Sequence, residues 1–98
     1  MTSEIQHIIQ EYADDIAQQL GIKLSWISVV DGQRLGCRGV HLLKLASDGQ
    51  LVCTLVYQSE LDDLQSDLFS DRLEMKVRMA LSRLKILLEA DAFAGSGI

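Results

Sequence analysis

Apolar residues at the start of the chain recur with helical spacing. Between Ile5 and Leu20 they occupy the i, i+3, i+4 and i+7 positions that form one face of an α-helix. Gly21 follows the last of them, and glycine readily adopts the left-handed conformation that ends a helix. The pattern predicts an amphipathic helix over about residues 3–20. Its apolar face comprises Ile5, Ile8, Ile9, Tyr12, Ala13, Ile16, Ala17 and Leu20.

Beyond Gly21 the pattern becomes typical of strands. Residues 22–30, IKLSWISVV, are rich in β-branched and aromatic residues. They lead into Asp31-Gly32, a dipeptide favoured in two-residue hairpin turns. A second such dipeptide, Asp48-Gly49, separates the apolar segments 40–47 and 50–58. The sequence therefore predicts three or four antiparallel strands, and the second hairpin carries the strongest signal.

A type I′ turn at Asp48-Gly49 would fix the register of the second hairpin, because Ser47 would then lie opposite Gln50. Alternate residues of each strand would point to opposite faces of the sheet, and both faces would be largely apolar. An antiparallel sheet with one face in water alternates apolar and polar residues more strictly. We therefore expect the second face to need a cover, and either this face or a second apolar stripe of the last helix would form the interface of a homodimer.

The last predicted helix has two apolar stripes. It follows an acidic connector, SELDDLQSDLFSD, begins after the N-cap candidate Ser70 and covers about residues 71–92. A helix with two apolar stripes buries two surfaces, although the connector folding back over the second stripe is an alternative. The stripe expected to face the core comprises Leu73, Val77, Ala80, Leu81, Leu84, Leu87 and Leu88. The second stripe, interpreted as a partner interface, comprises Met75, Met79, Ile86, Ala90 and Phe93.

This order of elements is typical of an α+β, two-layer domain. The expected fold has an antiparallel three- to four-stranded sheet with N- and C-terminal helices, in α-β-β-β-α order, and the helices lie on one face of the sheet. Residues 1–94 are expected to form a single domain, since the chain has the length of one domain. Residues 95–98 are expected to form a flexible C-terminal tail.

Composition favours association with another protein. Of the 98 residues, 48% are hydrophobic and only 23% are charged. A chain of this size buries only about 60–65% of its unfolded surface, so part of the apolar surface is available to a second chain, and we expect a homodimer. The net charge of −5 disfavours nucleic acid as a partner, because binding to phosphates relies on Lys and Arg.

The expected location is the cytoplasm. The N-terminal residues MTSEIQHIIQEY lack the basic and then apolar block of a secretory signal, and no apolar run has the length that spans a bilayer. Cys37 and Cys53 form no CxxC pair, and His7 and His41 are far apart, so a structural zinc site is not expected. No cofactor is indicated.

The segment DGQRLGCRG, residues 31–39, is the strongest candidate for chemistry. Glycines let the backbone approach an anion and arginines add positive charge. This candidate anion or ligand loop comprises Arg34, Gly36, Cys37, Arg38 and Gly39. His41 is the nearest base for the Cys37 thiol, but four residues of extended strand span about 13 Å. The favoured interpretation is a turn between strands in which the glycines permit a bulge or a tight return. Trp26 is expected to anchor the core.

Three functions remain open. The first is a small acidic non-catalytic interaction module, homodimeric, that binds a protein partner as an adaptor or chaperone; the architecture is similar in a general way to that of small acidic chaperones of secretion systems. The second is a nucleic-acid-binding or nucleoid-associated small dimer, because double-stranded RNA-binding domains share the order of elements. The last helix, however, begins SDRLEMK and lacks the lysine-rich start of those domains. The third is a small-ligand or thiol site around Cys37.

Overall fold

The computed structural model describes residues 3–32, 36, 38–68 and 70–96. The α+β class and the three antiparallel strands are confirmed, and the acidic connector adds a short helix before the last one. The elements are helix α1 (Ser3–Gln19), strands β1 (Trp26–Asp31), β2 (Val40–Ser47) and β3 (Gln50–Tyr57), and helices α2 (Gln58–Gln65) and α3 (Asp71–Ser96).

Helix α1 ends at the predicted glycine. Gly21 has a φ of 75°, a conformation that costs glycine little because it has no Cβ. The N–H of Gly21 donates to the carbonyl of Gln18 at 3.1 Å, and the N–H of Ile22 donates to the carbonyl of Ala17 at 2.8 Å. This pair of bonds is the Schellman motif, which satisfies carbonyls at the helix terminus.

Strands β1, β2 and β3 form one antiparallel sheet in that order. Asp48 and Gly49 have φ values of 47° and 82°, and two successive positive values define the type I′ turn. The predicted register of the second hairpin is confirmed, since Ser47 lies opposite Gln50 and the pairing continues along the full length of both strands.

The first hairpin differs from the prediction of a two-residue turn. Asp31 still belongs to β1 and lies opposite His41, so residues 32–39 together connect the two strands. Within this connection Gly36 and Gly39 have φ values of 79° and 72°, in the left-handed region that favours glycine. Because Asp31 pairs within the strand, the Asp-Gly dipeptide does not form the predicted two-residue turn.

The helices pack on one face of the sheet, which we call the inner face. Each strand contributes alternate side chains to this face, and they meet the apolar stripes of α1 and α3. Leu61 anchors α2 to the same core. The buried cluster comprises Ile9, Ala13, Ile16, Ala17, Ile22, Val29, Leu43, Leu45, Val52, Val56, Leu61, Leu73, Val77, Ala80, Leu81 and Leu84.

Helix α3 extends beyond the core. Its core-facing stripe is buried as far as Leu84, and Leu88 is only half-buried against the cluster. Leu87 is 40% exposed, so its assignment to the core was wrong; it lies near Leu51 at the edge of β3 instead of over the inner face. The helix continues to Ser96, past the predicted end.

A buried ion pair joins α2 to α3. Glu60 is 5% exposed, and its Oε1 accepts hydrogen bonds from Lys76 Nζ and from the backbone N–H of Tyr57, each at 2.8 Å. The ammonium of Lys76 also lies 4.2 Å from the centroid of the Tyr57 ring, a cation–π contact. One carboxylate therefore both caps α2 and attaches it to α3.

Replacing Glu60 with alanine is expected to lower the free energy of unfolding by about 3 kcal/mol, because removal of one member of a buried pair leaves the other charge without compensation. The matched control is Glu74→Ala, which breaks the Glu74–Arg78 pair, whose side chains are 45% and 38% exposed. Such a surface pair contributes about 0–1 kcal/mol. Urea denaturation of both variants measures the difference, and equal losses would contradict the structural role of Glu60.

The phenol of Tyr12 gives the fold a dependence on alkaline pH. Burial raises the pKa of Tyr12 above its ordinary value of 10.0; Glu74 and Asp71 add to the rise, and Arg78 opposes it. Because the folded pKa lies above the unfolded one, this contribution to stability is complete below pH 10 and is lost as pH rises through the folded pKa. Phenylalanine has no hydroxyl to ionise. Between pH 7 and a pH above 10, the free energy of unfolding of Tyr12→Phe should therefore fall by less than that of the wild type. Thermal melts of both proteins across this range test the expectation, and identical pH profiles would refute it.

Candidate interaction surface

The sheet face opposite the inner face, which we call the outer face, is almost entirely apolar. Strand register places eleven side chains on it, and only Ser28 and Lys44 are polar. None of these eleven belongs to the core that the helices build among the described residues. The apolar members are Trp26, Val30, Val40, Leu42, Ala46, Leu51, Cys53, Leu55 and Tyr57.

The larger side chains of the outer face are open to solvent. Leu55 is 56% exposed, Trp26 is 49% exposed and Leu51 is 47% exposed. The expectation that Trp26 anchors the core was wrong, because strand alternation places it opposite Ala46 on the outer face. Lys76 of α3 lies over the Tyr57 ring at one end of this face, but Leu51, Leu55 and Trp26 stay exposed in the described part of the chain.

Lys44 is the one charged residue on the outer face. It lies on the central strand, opposite Ser28 of β1 and Cys53 of β3, and it is half-buried. No residue in the described ranges pairs with its ammonium group. Water can solvate this charge while the face is open, but a partner that excludes water must supply a counter-charge, because a buried unpaired ion is costly.

The second predicted stripe of α3 is also exposed. Met75, Met79 and Ile86 are 61%, 62% and 64% exposed, and Ala90 is exposed as well. The side chain of Phe93 lies outside the described part of the structure. The described part of the acidic connector does not cover these three side chains, because they are more than 60% exposed while Leu61 of α2 packs into the core.

Met75, Met79 and Ile86 belong to a longer series with the spacing of a coiled coil. Steps of three and four residues alternate along it, as in the a and d positions of heptads. The two charged members, Arg72 and Glu89, are both exposed, and neither has an ion-pair partner within the described ranges. We call this series the α3 seam; it comprises Arg72, Met75, Met79, Ser82, Ile86 and Glu89.

The outer face and the α3 seam meet at the edge of β3. A shallow groove there is lined by side chains from both elements, including Leu51, Cys53, Ile86 and Leu87. Arg83 on α3 spans the edge, and its Nη2 donates to the backbone carbonyl of Cys53 at 3.1 Å. The two surfaces therefore form one continuous apolar region.

The candidate anion or ligand loop is only partly described. The side chain of Arg38 is exposed, and Gly36 and Gly39 have the left-handed conformation noted above. Arg34 and Cys37 lie outside the described residues, so the proposed ligand and thiol roles at these positions stay predictions.

His41 has a structural role that sequence reasoning missed. It is 5% exposed, and its Nε2 lies 2.5 Å from Oε1 of Gln58 at the start of α2. Its Nδ1 lies 3.4 Å from the backbone N of Gly32 and 3.5 Å from Oδ1 of Asp31. Both ring nitrogens therefore have partners, and the histidine links the 32–39 connection to α2. No local pattern could indicate this contact, since Gln58 is 17 residues away from His41.

The variant His41→Leu should destabilise the fold by about 1–3 kcal/mol, because it leaves buried polar groups without partners. The matched control is His7→Ala, at the other histidine of the chain. It removes only a contact between His7 and Glu11, whose two side chains are 70% and 68% exposed, respectively. Hydrogen exchange at Gly32 and Gln58 should accelerate in the first variant and stay unchanged in the second. Equal exchange rates in both variants would contradict the link.

Comparison of the chain with known protein families, curated proteins and solved structures gives no match. Within the described residues, no three His, Cys, Asp or Glu side chains are grouped so that they could hold a metal ion. No helix in those ranges is long and apolar enough to cross a membrane. Inference about function therefore depends on the shape, exposure and charge of the surface described above.

Proposed function

We propose that the protein is a small, acidic, non-catalytic protein-interaction module that acts as a homodimer in the cytoplasm, in an adaptor or chaperone-like role. The observation that carries this proposal is the continuous apolar region formed by the outer face and the α3 seam, which the described chain leaves exposed. Monomeric proteins rarely expose contiguous apolar patches larger than a few hundred Å², and larger patches mark interaction sites.

The overall dimensions support association. The accessible surface is 6292 Å², whereas a folded monomer of 10.9 kDa is expected to expose about 5,600 Å². Part of this excess belongs to the end of α3, which projects beyond the core. The radius of gyration of 14.2 Å also exceeds the value of about 12.6 Å expected for a compact chain of this length.

The α3 seam is complementary to itself. If two copies of α3 pack antiparallel about a two-fold axis, one register places a basic residue opposite an acidic one at each end and apolar or small residues between them. Each of these contacts occurs twice, as in any two-fold interface. The opposed residues are Arg72 with Glu89, Met75 with Ile86, and Met79 with Ser82.

The wild-type protein is expected to be dimeric at tens of micromolar, and the variant Met79→Asp with Ile86→Asp is expected to be monomeric. Both side chains are more than 60% exposed, so the subunit should keep its helix content and melt cooperatively. Ser59→Asp with Gln65→Glu serves as the control, because it adds the same two negative charges at exposed positions of α2. Light scattering measures the mass, and circular dichroism checks the fold.

A charge exchange tests the antiparallel register. Arg72→Glu and Glu89→Arg should each weaken the homodimer, because each variant places like charges opposite one another twice. An equimolar mixture should form a heterodimer in which both ends are again complementary.

A wild-type protein that stays monomeric at tens of micromolar contradicts the homodimer. A dimer that persists in the Met79/Ile86 variant would show that its interface lies elsewhere. A salt-dependent mobility shift with duplex DNA or RNA would instead support nucleic-acid binding.

A further inference from the structure

We infer that the outer face binds one amphipathic α-helix of a different protein, and that this helix carries a carboxylate in its apolar face opposite Lys44. The inference rests on the proposed role as an interaction module, and it adds the chemistry of the partner. Three properties of the outer face support it: its dimensions, the state of its edges and its single charge.

The dimensions of the outer face match one helix. Strand β2 has 8 residues, which span about 26 Å at about 3.3 Å per residue. The axes of the two edge strands, β1 and β3, lie about 10 Å apart, twice the spacing between neighbouring strands. An α-helix with side chains is about 10–12 Å wide and rises 1.5 Å per residue, so a helix of about 17 residues covers the face.

The edges of the sheet oppose the alternative of a partner strand. On the β3 edge, Arg83 donates to the carbonyl of Cys53 and Glu60 accepts from the N–H of Tyr57. On the β1 edge, Nε2 of Gln10 donates to the carbonyl of Ile27 at 3.1 Å. Side chains from the helices thus occupy backbone groups that an added strand would use, and the open face is left as the binding surface.

The positive charge of Lys44 disfavours a second copy of the chain as the molecule that binds the outer face. Lys44 is near the middle of the central strand, so two outer faces packed about a two-fold axis would bring their Lys44 ammonium groups together without a counter-charge. A helix of another protein can place an Asp or Glu opposite Lys44 and apolar residues against Trp26 and Leu55. The α3 seam then remains available for the homodimer.

Two peptides test the inference, with Trp26 as the reporter. Each has about 17 residues, no Trp, and leucines at i, i+3, i+4 and i+7 spacing along a helix; one carries glutamate at the centre of the apolar face and its twin carries lysine there. Trp26 is the only tryptophan of the chain, and its emission should shift to the blue when a helix covers it. We expect the wild type to bind the glutamate peptide about tenfold more tightly than its twin, as close charge pairs across interfaces do.

Charge reversal of the protein should reverse this preference. Lys44→Glu should bind the lysine peptide more tightly than the glutamate peptide. The control Lys23→Glu makes the same change at an exposed position off the outer face and should keep the wild-type order. Equal affinity of the two peptides for the wild type and for Lys44→Glu, or binding without a change in Trp26 emission, would overturn the inference.

A second seam variant, Met75→Asp with Met79→Asp, separates the inference from the homodimer. Both side chains lie outside the groove that joins the α3 seam to the outer face, so this variant should be monomeric and should bind the glutamate peptide with the affinity of the wild type. Charge-dependent peptide binding by a wild type that never dimerises would support the helix site while the homodimer fails. A stable dimer that discriminates neither peptide would retain the homodimer and refute the helix site. A blue shift of Trp26 on raising the protein concentration alone would assign the outer face to a second copy and overturn the inference.

Discussion

The register of β2 against β3 is the constraint on which the rest of the structure depends. Positive φ angles at Asp48 and Gly49 set that register, and the strict alternation of side chains then decides which residues face the helices. A slip of one residue would exchange the two faces of a strand, so that Lys44 would replace Leu43 or Leu45 in the core. The cost of burying that ammonium group makes the observed register the stable one.

The same register explains why the chain has apolar surface to spare. Both faces of the sheet are rich in apolar residues, but the helices form a single layer on the inner face. Helix α3 lies along the edge of β3 and uses one stripe for the core, which leaves its other stripe exposed. The exposed apolar surface is thus a consequence of having two apolar sheet faces and one layer of helices.

Local sequence signals predicted most of this architecture. The helical periodicity of α1, its terminal Gly21 and the Asp48-Gly49 hairpin each depend on residues close together in the chain, and the structure confirms all three. The face of Trp26 was missed because the register of β1 against β2 decides which side the ring points to, and composition does not define that register. The Glu60–Lys76 pair spans 16 residues, so no local pattern could indicate it.

The exposed stripe of α3 was visible in the sequence as a second set of apolar positions, and its continuation to Arg72 and Glu89 follows from heptad spacing. The apolar outer face was also visible in the sequence, because both sets of alternate residues in the second hairpin are largely apolar. The lack of a partner for Lys44 was not visible, because it depends on which side chains the other two strands place beside it.

Both faces and both edges of strand β3 carry contacts or surfaces described above. Val52 and Val56 face the core, Leu51 and Leu55 lie on the outer face, and the carbonyl of Cys53 binds α3 across the open edge. The fourth side pairs with β2 along its whole length. Both faces of this strand and both of its edges therefore contact the rest of the fold or belong to the proposed binding surface, and we expect the segment to tolerate random substitution less well than α1, which packs with one face only.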